Sequence, residues 1–168
     1  YQFIWYTPIM SDVHTVVPRT MCFVFHGDEI LLMQENGDKG WNGTYDPLGG
    51  HIEKGESIID SANREIKEEC GLDVKDTALR GIVHVTNFFG KNVVLFVTSS
   101  LAESKDVVAS EEGEPVWIHK DKLDSIKIFE DVKPILKHVI EMDKGKIFVG
   151  TSEFDGKDKL LALDIRIN

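Results

Sequence analysis

Glu65, Glu68 and Glu69 stand at i, i+3 and i+4, the spacing that gathers side chains on one face of a helix. Three carboxylates so close repel one another, which raises their pKa values and weakens the helix that carries them. A hard divalent cation removes that cost. An oxygen-rich site that also receives phosphates suits magnesium, with manganese as a substitute. Gly49-Gly50, a short way upstream, lets backbone come close to such a metal or to the phosphates themselves. Taken alone, the same glutamates also fit a solvated acidic face, the commoner origin of a charge run.

The element that must position them is legible. Ser57 or a neighbour can cap a helix beginning there, and Gly71 can end it. Ile59, Ala62, Ile66 and Cys70 recur at steps of three and four, one apolar stripe next to the acidic face. Glu56 falls in the expected first turn, where a negative charge suits the helix dipole and gives it a structural role.

Around this helix the pattern is mixed. Thr20–His26 and Glu29–Gln34 are apolar runs split by Gly27-Asp28, a hairpin signal. Residues 36–47 read as a loop. Ala78–Phe89 and Asn92–Ser99 form a second expected hairpin about Gly90-Lys91. An acidic loop, Val107–Pro115, precedes a short strand, Val116–His119. Asp131–Met142 has helical apolar spacing, with Pro134 tolerated in its first turn. Ile147–Gly150 and Leu160–Ile167 are closing strands flanking an Asp155-Gly156 turn. No repeat or linker interrupts the chain, so 1–168 is expected to be one domain. Strands before and after each of two helices suit a sheet packed between helices.

Composition narrows function further. With 168 residues, 42% of them hydrophobic, one proper core is affordable, and a net charge of -10 opposes a groove for a nucleic-acid polymer. A nucleotide is compatible with that charge, because its polyphosphate can arrive with magnesium. Cys22 and Cys70 lie in apolar segments and read as reduced core residues of a cytoplasmic protein. The apolar first ten residues are too short to span a membrane. Met10 is a candidate start, and residues 1–17 are expected to include a poorly ordered or non-native extension.

Read from Gly50, the chain runs Gly50, five residues, Glu56, seven residues, Arg64-Glu65-Ile66, one residue, Glu68-Glu69, one residue, Gly71-Leu72. This resembles the signature of the Nudix hydrolases at every specified position. The resemblance implies an α/β (α+β) fold, a mixed β-sheet sandwiched between helices. It also implies a magnesium-dependent enzyme that cleaves a nucleoside diphosphate linked to another group. On that likeness Glu68, Glu69 and the Gly50 carbonyl would hold magnesium. Glu65 and Glu112 would hold a second ion or activate water, and Arg64 would orient the carboxylates.

A finer likeness points to MutT-type and animal oxidised-purine nucleoside triphosphatases. It rests on Trp41-Asn42-Gly43 before the box, on Glu112 five residues before Trp117, and on the acidic pair Glu130-Asp131 before the last helix. In those relatives the counterparts of Trp41 and Asn42 line the base pocket, and the acidic pair reads the purine edge. The segment 145–165 is similar to their final hairpin. The implied reaction is attack of water on a triphosphate, for instance 8-oxo-dGTP, releasing a nucleoside monophosphate and pyrophosphate. Two features depart from that pattern: Thr44-Tyr45-Asp46-Pro47 lengthens the segment before the box, and the expected aromatic is offset to Phe129. ADP-ribose and dinucleoside polyphosphates remain alternative substrates, although Phe88-Phe89 stands where ADP-ribose pyrophosphatases tend to carry proline. A non-catalytic nucleotide sensor is a further alternative, against which the complete set of box carboxylates weighs. Oligomeric state, monomer or homodimer, stays open.

Overall fold

The computed structural model describes residues 14–34, 43–111 and 113–167. Along the chain come β1 (Val17–His26), β2 (Glu29–Gln34), β3 (Tyr45–Asp46), α1 (Ile58–Cys70), β4 (Val74–Phe88) and β5 (Lys91–Ala102). After these come β6 (Glu114–His119), a 3-10 turn (Lys120–Ser125), α2 (Val132–Glu141), β7 (Phe148–Phe154) and β8 (Leu160–Ile167). The strands form one sheet in the order β3-β2-β1-β5-β4-β7-β8, with β6 added along β2. β1 pairs parallel with β5 and β4 parallel with β7, while the other pairings are antiparallel. The sheet is therefore mixed.

Strand alternation sends successive side chains to opposite faces. In β1, Cys22 and Val24 join Leu31, Leu48, Ala62, Ile66 and Cys70 in a core under α1. Met21 and Phe23 join Ile30, Leu32, Val83, Ile135, Leu136, Val139 and Phe148 in a larger core under α2. A sheet covered on both faces explains why Met21–Val24 is apolar without interruption. Phe23, Leu31, Ile66 and Phe148 are fully buried, each stabilising the fold by roughly 1.5–3 kcal/mol. The helices thus flank the sheet as expected.

Boundaries moved where pairing, not local pattern, decides them. β4 begins at Val74 and runs past irregularities near Lys75, Leu79 and Val85. The β4–β5 turn is Phe89-Gly90, both with positive φ, one residue earlier than Gly90-Lys91. That is the backbone of the tight hairpin turn whose twist matches the strands. β6 includes Pro115 because this strand pairs with β2 alone, so the missing N–H costs little. Part of the expected 36–47 loop is strand: Tyr45 and Asp46 pair with Gln34 and Met33. The Tyr45 N–H also donates to the Lys127 carbonyl at 2.8 Å, which ties this strand to the approach to α2. β1 opens at Val17, within the 1–17 stretch expected to include an extension; residues 1–13 lie outside the described ones.

Candidate active site

Three backbone bonds lay residues 48–52 along β1. The Cys22 N–H donates to Leu48 O at 2.7 Å, Thr20 N–H to Gly50 O at 2.9 Å, and Ile52 N–H to Pro18 O at 3.2 Å. The Thr20 hydroxyl also accepts from the Gly50 N–H at 3.3 Å. The loop then enters α1 at Ser57, whose hydroxyl accepts the Asp60 N–H at 3.1 Å as the N-cap. Gly71 closes the helix in the left-handed conformation, φ 77°, a backbone that glycine adopts without strain. α1 is held at both ends by residues chosen for caps.

This anchoring brings the glycine loop against the glutamates. The Gly49 N–H donates to both carboxylate oxygens of Glu69, at 3.2 and 3.3 Å. A Cβ placed on Gly50 would collide with the Glu65 carboxylate, so only glycine permits that approach. Glu69 is buried, Glu65 half-buried and Glu68 exposed.

Arg64 holds the group together. Its Nε donates to Glu56 at 2.8 Å, and Nη2 donates to the second Glu56 oxygen at 3.0 Å. Nη1 donates to Glu65 at 2.9 Å and to Glu68 at 3.0 Å, and Nη2 reaches the His51 carbonyl at 3.0 Å. The planar five-donor fork matches carboxylates in this bidentate way. The hydrogen bonds from Arg64, joined by the Glu53 N–H, hold the Glu56 carboxyl down at about 2. In turn the Glu56 hydrogen bond, and then Glu65, push the Arg64 guanidinium further up. One expectation is corrected here: Glu56 precedes the Ser57 cap, so it stands outside the first turn and acts by pairing with Arg64.

The donors fit a hard cation in kind. They are carboxylate and carbonyl oxygens, and the space a side chain would fill at Gly50 is given to a carboxylate. Among the described residues, no three such groups are already gathered at metal-binding distance. Arg64 holds Glu65 and Glu68, and the Gly49 N–H holds Glu69, in their place. Glu112, expected to complete the set, lies outside the described residues, as do Trp41 and Asn42.

Beyond Gly49 a cavity of about 350 Å³ opens on the α2 face of the sheet. Its lining is mixed: Val85, Phe88, Val93, Leu95, Phe129 and Phe154 supply an apolar wall, and Arg19, Asp46 and Asp131 are its charged members. A few polar groups in an apolar cleft are the usual make-up of a small-molecule site. Asp131, only 7% exposed, precedes α2 without a side-chain capping bond. Burial, reinforced by neighbouring Glu130, pushes its carboxyl up to about 6. The structure separates the expected acidic pair: Asp131 lines the cavity, whereas Glu130 is exposed and outside its wall. Trp117 packs against the α1-side core, its Nε1–H donating to the Lys105 carbonyl at 3.2 Å. Arg19, Thr20 and Asp46 were not singled out by sequence reading. Asp46 lay in an expected loop. A signal existed for Arg19, a charge two residues before Met21 on an otherwise apolar strand face.

The NUDIX domain model matches residues 16–139. The chain is 29% identical over 153 residues to the oxidized purine nucleoside triphosphate hydrolase of Mus musculus, covering 88% of this chain and 92% of that one. It is 32% identical over 114 residues to the asymmetrical bis(5'-nucleosyl)-tetraphosphatase of Sus scrofa, covering 64% and 75%. Among solved structures, a mutator MutT protein from Bacillus halodurans superposes with a TM-score of 0.78 at 30% identity, covering 89% of this chain and 97% of that one.

Proposed function

The chain belongs to the Nudix family, as a hydrolase acting on nucleotide anhydrides, and from that premise we propose that it converts a purine nucleoside triphosphate to the monophosphate and pyrophosphate. Oxidised purine deoxynucleotides such as 8-oxo-dGTP are the favoured substrates. The observation that carries the reading is the continuity of the two halves of the site. Gly49 bonds Glu69 on one side and lines the cavity of about 350 Å³ on the other, so one loop joins the acidic box to a base-sized cavity.

Glu68, Glu69 and the Gly50 carbonyl would hold a magnesium ion, with Glu65 and Glu112 serving a second ion or the attacking water. When bound, the ions would neutralise charge developing on the phosphoryl oxygens and lower the pKa of water. Arg64 tethers Glu65 and Glu68, and Glu56 keeps Arg64 in place. The Gly49 N–H, donating to both Glu69 oxygens, fixes the carboxylate beside the glycine loop. Phe88, Phe129 and Phe154 exclude water from the base, whose edge meets Asp131; Trp41 and Asn42 are assigned to base binding on the family likeness alone. Free, buried Cys22 and Cys70 suit a reducing compartment, so a cytoplasmic location is part of this reading.

The test is pyrophosphate release with magnesium across 8-oxo-dGTP, 2-hydroxy-dATP, the ordinary dNTPs and NTPs, ADP-ribose and diadenosine polyphosphates. Preference in kcat/KM for an oxidised purine supports the proposal. Preference for a diadenosine polyphosphate would favour the second reading, which rests on the Sus scrofa relative. Binding without turnover would favour a nucleotide sensor.

A further inference from the structure

Among the described residues, Arg19 is the one lysine, arginine or histidine that lines the nucleotide cavity. Strand alternation fixes its direction. Thr20 borders the cavity, but its hydroxyl is turned away to accept the Gly50 N–H. Met21 lines the cavity, and Phe23 lies in the α2-side core. Arg19, two residues before Met21, shares that face. Its guanidinium is committed to no carboxylate among the described residues, and it is half-buried. The same wall carries Asp46, on β3, and Asp131, at the start of α2.

The hydrogen-bonding inventory of Arg19 and Asp131 is asymmetric. A guanidinium offers donors and no acceptor, and an ionised carboxylate offers acceptors and no donor. A 6-oxopurine, 8-oxidised or not, complements both: O6 accepts and N1–H donates. A 6-aminopurine reverses position 6, where its amino donors would face the guanidinium, and its bare N1 would face a carboxylate. Each reversed group would be buried without a partner, which costs more than the bond it replaces gives. We propose that Arg19 reads the 6-oxo group and restricts the cavity to 6-oxopurine nucleotides, excluding adenine and its 2-hydroxy form. The inference rests on the nucleoside triphosphate reading above and names its base class.

dITP and dATP isolate the group in question, since neither has a 2-amino substituent and they differ at position 6 and in the N1 proton. kcat/KM for both is measured with the wild type, Arg19→Met and Arg19→Lys, alongside thermal melts. A charge-assisted arginine contact to O6 predicts a wild-type preference for dITP of roughly 10- to 100-fold. Arg19→Met should bring the two substrates within about threefold, through loss on dITP, and Arg19→Lys should retain part of the preference, since it keeps one donor. Calorimetric binding of deoxyinosine should weaken in Arg19→Met, with a melting temperature close to wild type. Equal wild-type efficiencies on dITP and dATP, or a preference untouched by Arg19→Met, would overturn the role of Arg19 while leaving the enzyme reading intact. Cleavage of ADP-ribose or diadenosine polyphosphates with neither deoxynucleoside triphosphate turned over would retire both together.

Discussion

Glu69 and Asp131 are both buried carboxylates. Glu69 is 5% exposed, and both its oxygens take the Gly49 N–H. Glu69→Gln keeps the shape and removes the charge that would hold a cation, so turnover should be abolished with the fold intact. Pyrophosphate release at saturating magnesium and a far-UV melt check this, and substantial residual activity would remove Glu69 from the metal site. Asp131 accepts from backbone N–H groups of Asp131 and Val132, but burial outweighs them and raises its carboxyl from 3.8 to about 6. The folded state then holds a proton that the unfolded chain releases, so stability falls as pH rises from about 4 to 6 and stays lower above. At 1.36 kcal/mol per unit the cost is on the order of 3 kcal/mol. Asp131→Asn should therefore be more stable than wild type at pH 8 and near neutral in effect at pH 4, as read by urea unfolding. An advantage that does not grow with pH would show that Asp131 carries no desolvation cost.

At the scale of elements, α1 and the loop before it divide stability from chemistry. Ser57 caps the helix, and its loss should cost about 1 kcal/mol with little change in kcat, because the glutamates project from later turns. Gly50→Ala should do the reverse. Its new Cβ would push the Glu65 carboxylate out of place, so activity should fall by far more than the melting temperature does. Urea unfolding and steady-state kinetics on the two variants separate these outcomes, and an active Gly50→Ala would refute the close approach. α1 was readable because caps, apolar stripe and acidic face are all local signals that agree. β3 was not: Tyr45 and Asp46 are strand because Gln34 and Met33 lie beside them, and no local pattern announces a two-residue partner.

For the whole molecule, the two helices cover opposite faces of one mixed sheet, with the glutamates of α1 and the cavity under α2 meeting at Gly49. Among the described residues no helix is long and apolar enough to cross a membrane. If the box holds magnesium, binding stabilises only the folded chain, by about 2.7 kcal/mol at one hundred times the dissociation constant. The melting temperature should rise with magnesium, fall back on chelation, and respond far less in Glu69→Gln. A wild-type melt indifferent to magnesium and manganese would argue against the site. By itself the sequence determined the α1 helix, its carboxylates and Arg64, and the family, because these depend on spacing along a single element. It also marked the sheet's core, because the unbroken apolar runs of β1 and β2 are those of strands covered on both faces. Only the tertiary structure decided that Asp131 faces the cavity while Glu130 does not, and that Glu56 serves Arg64 from outside the helix. It alone placed Arg19 and Asp46 on the cavity wall. Those facts depend on which strands lie side by side, and long-range pairing leaves no period in the sequence to read.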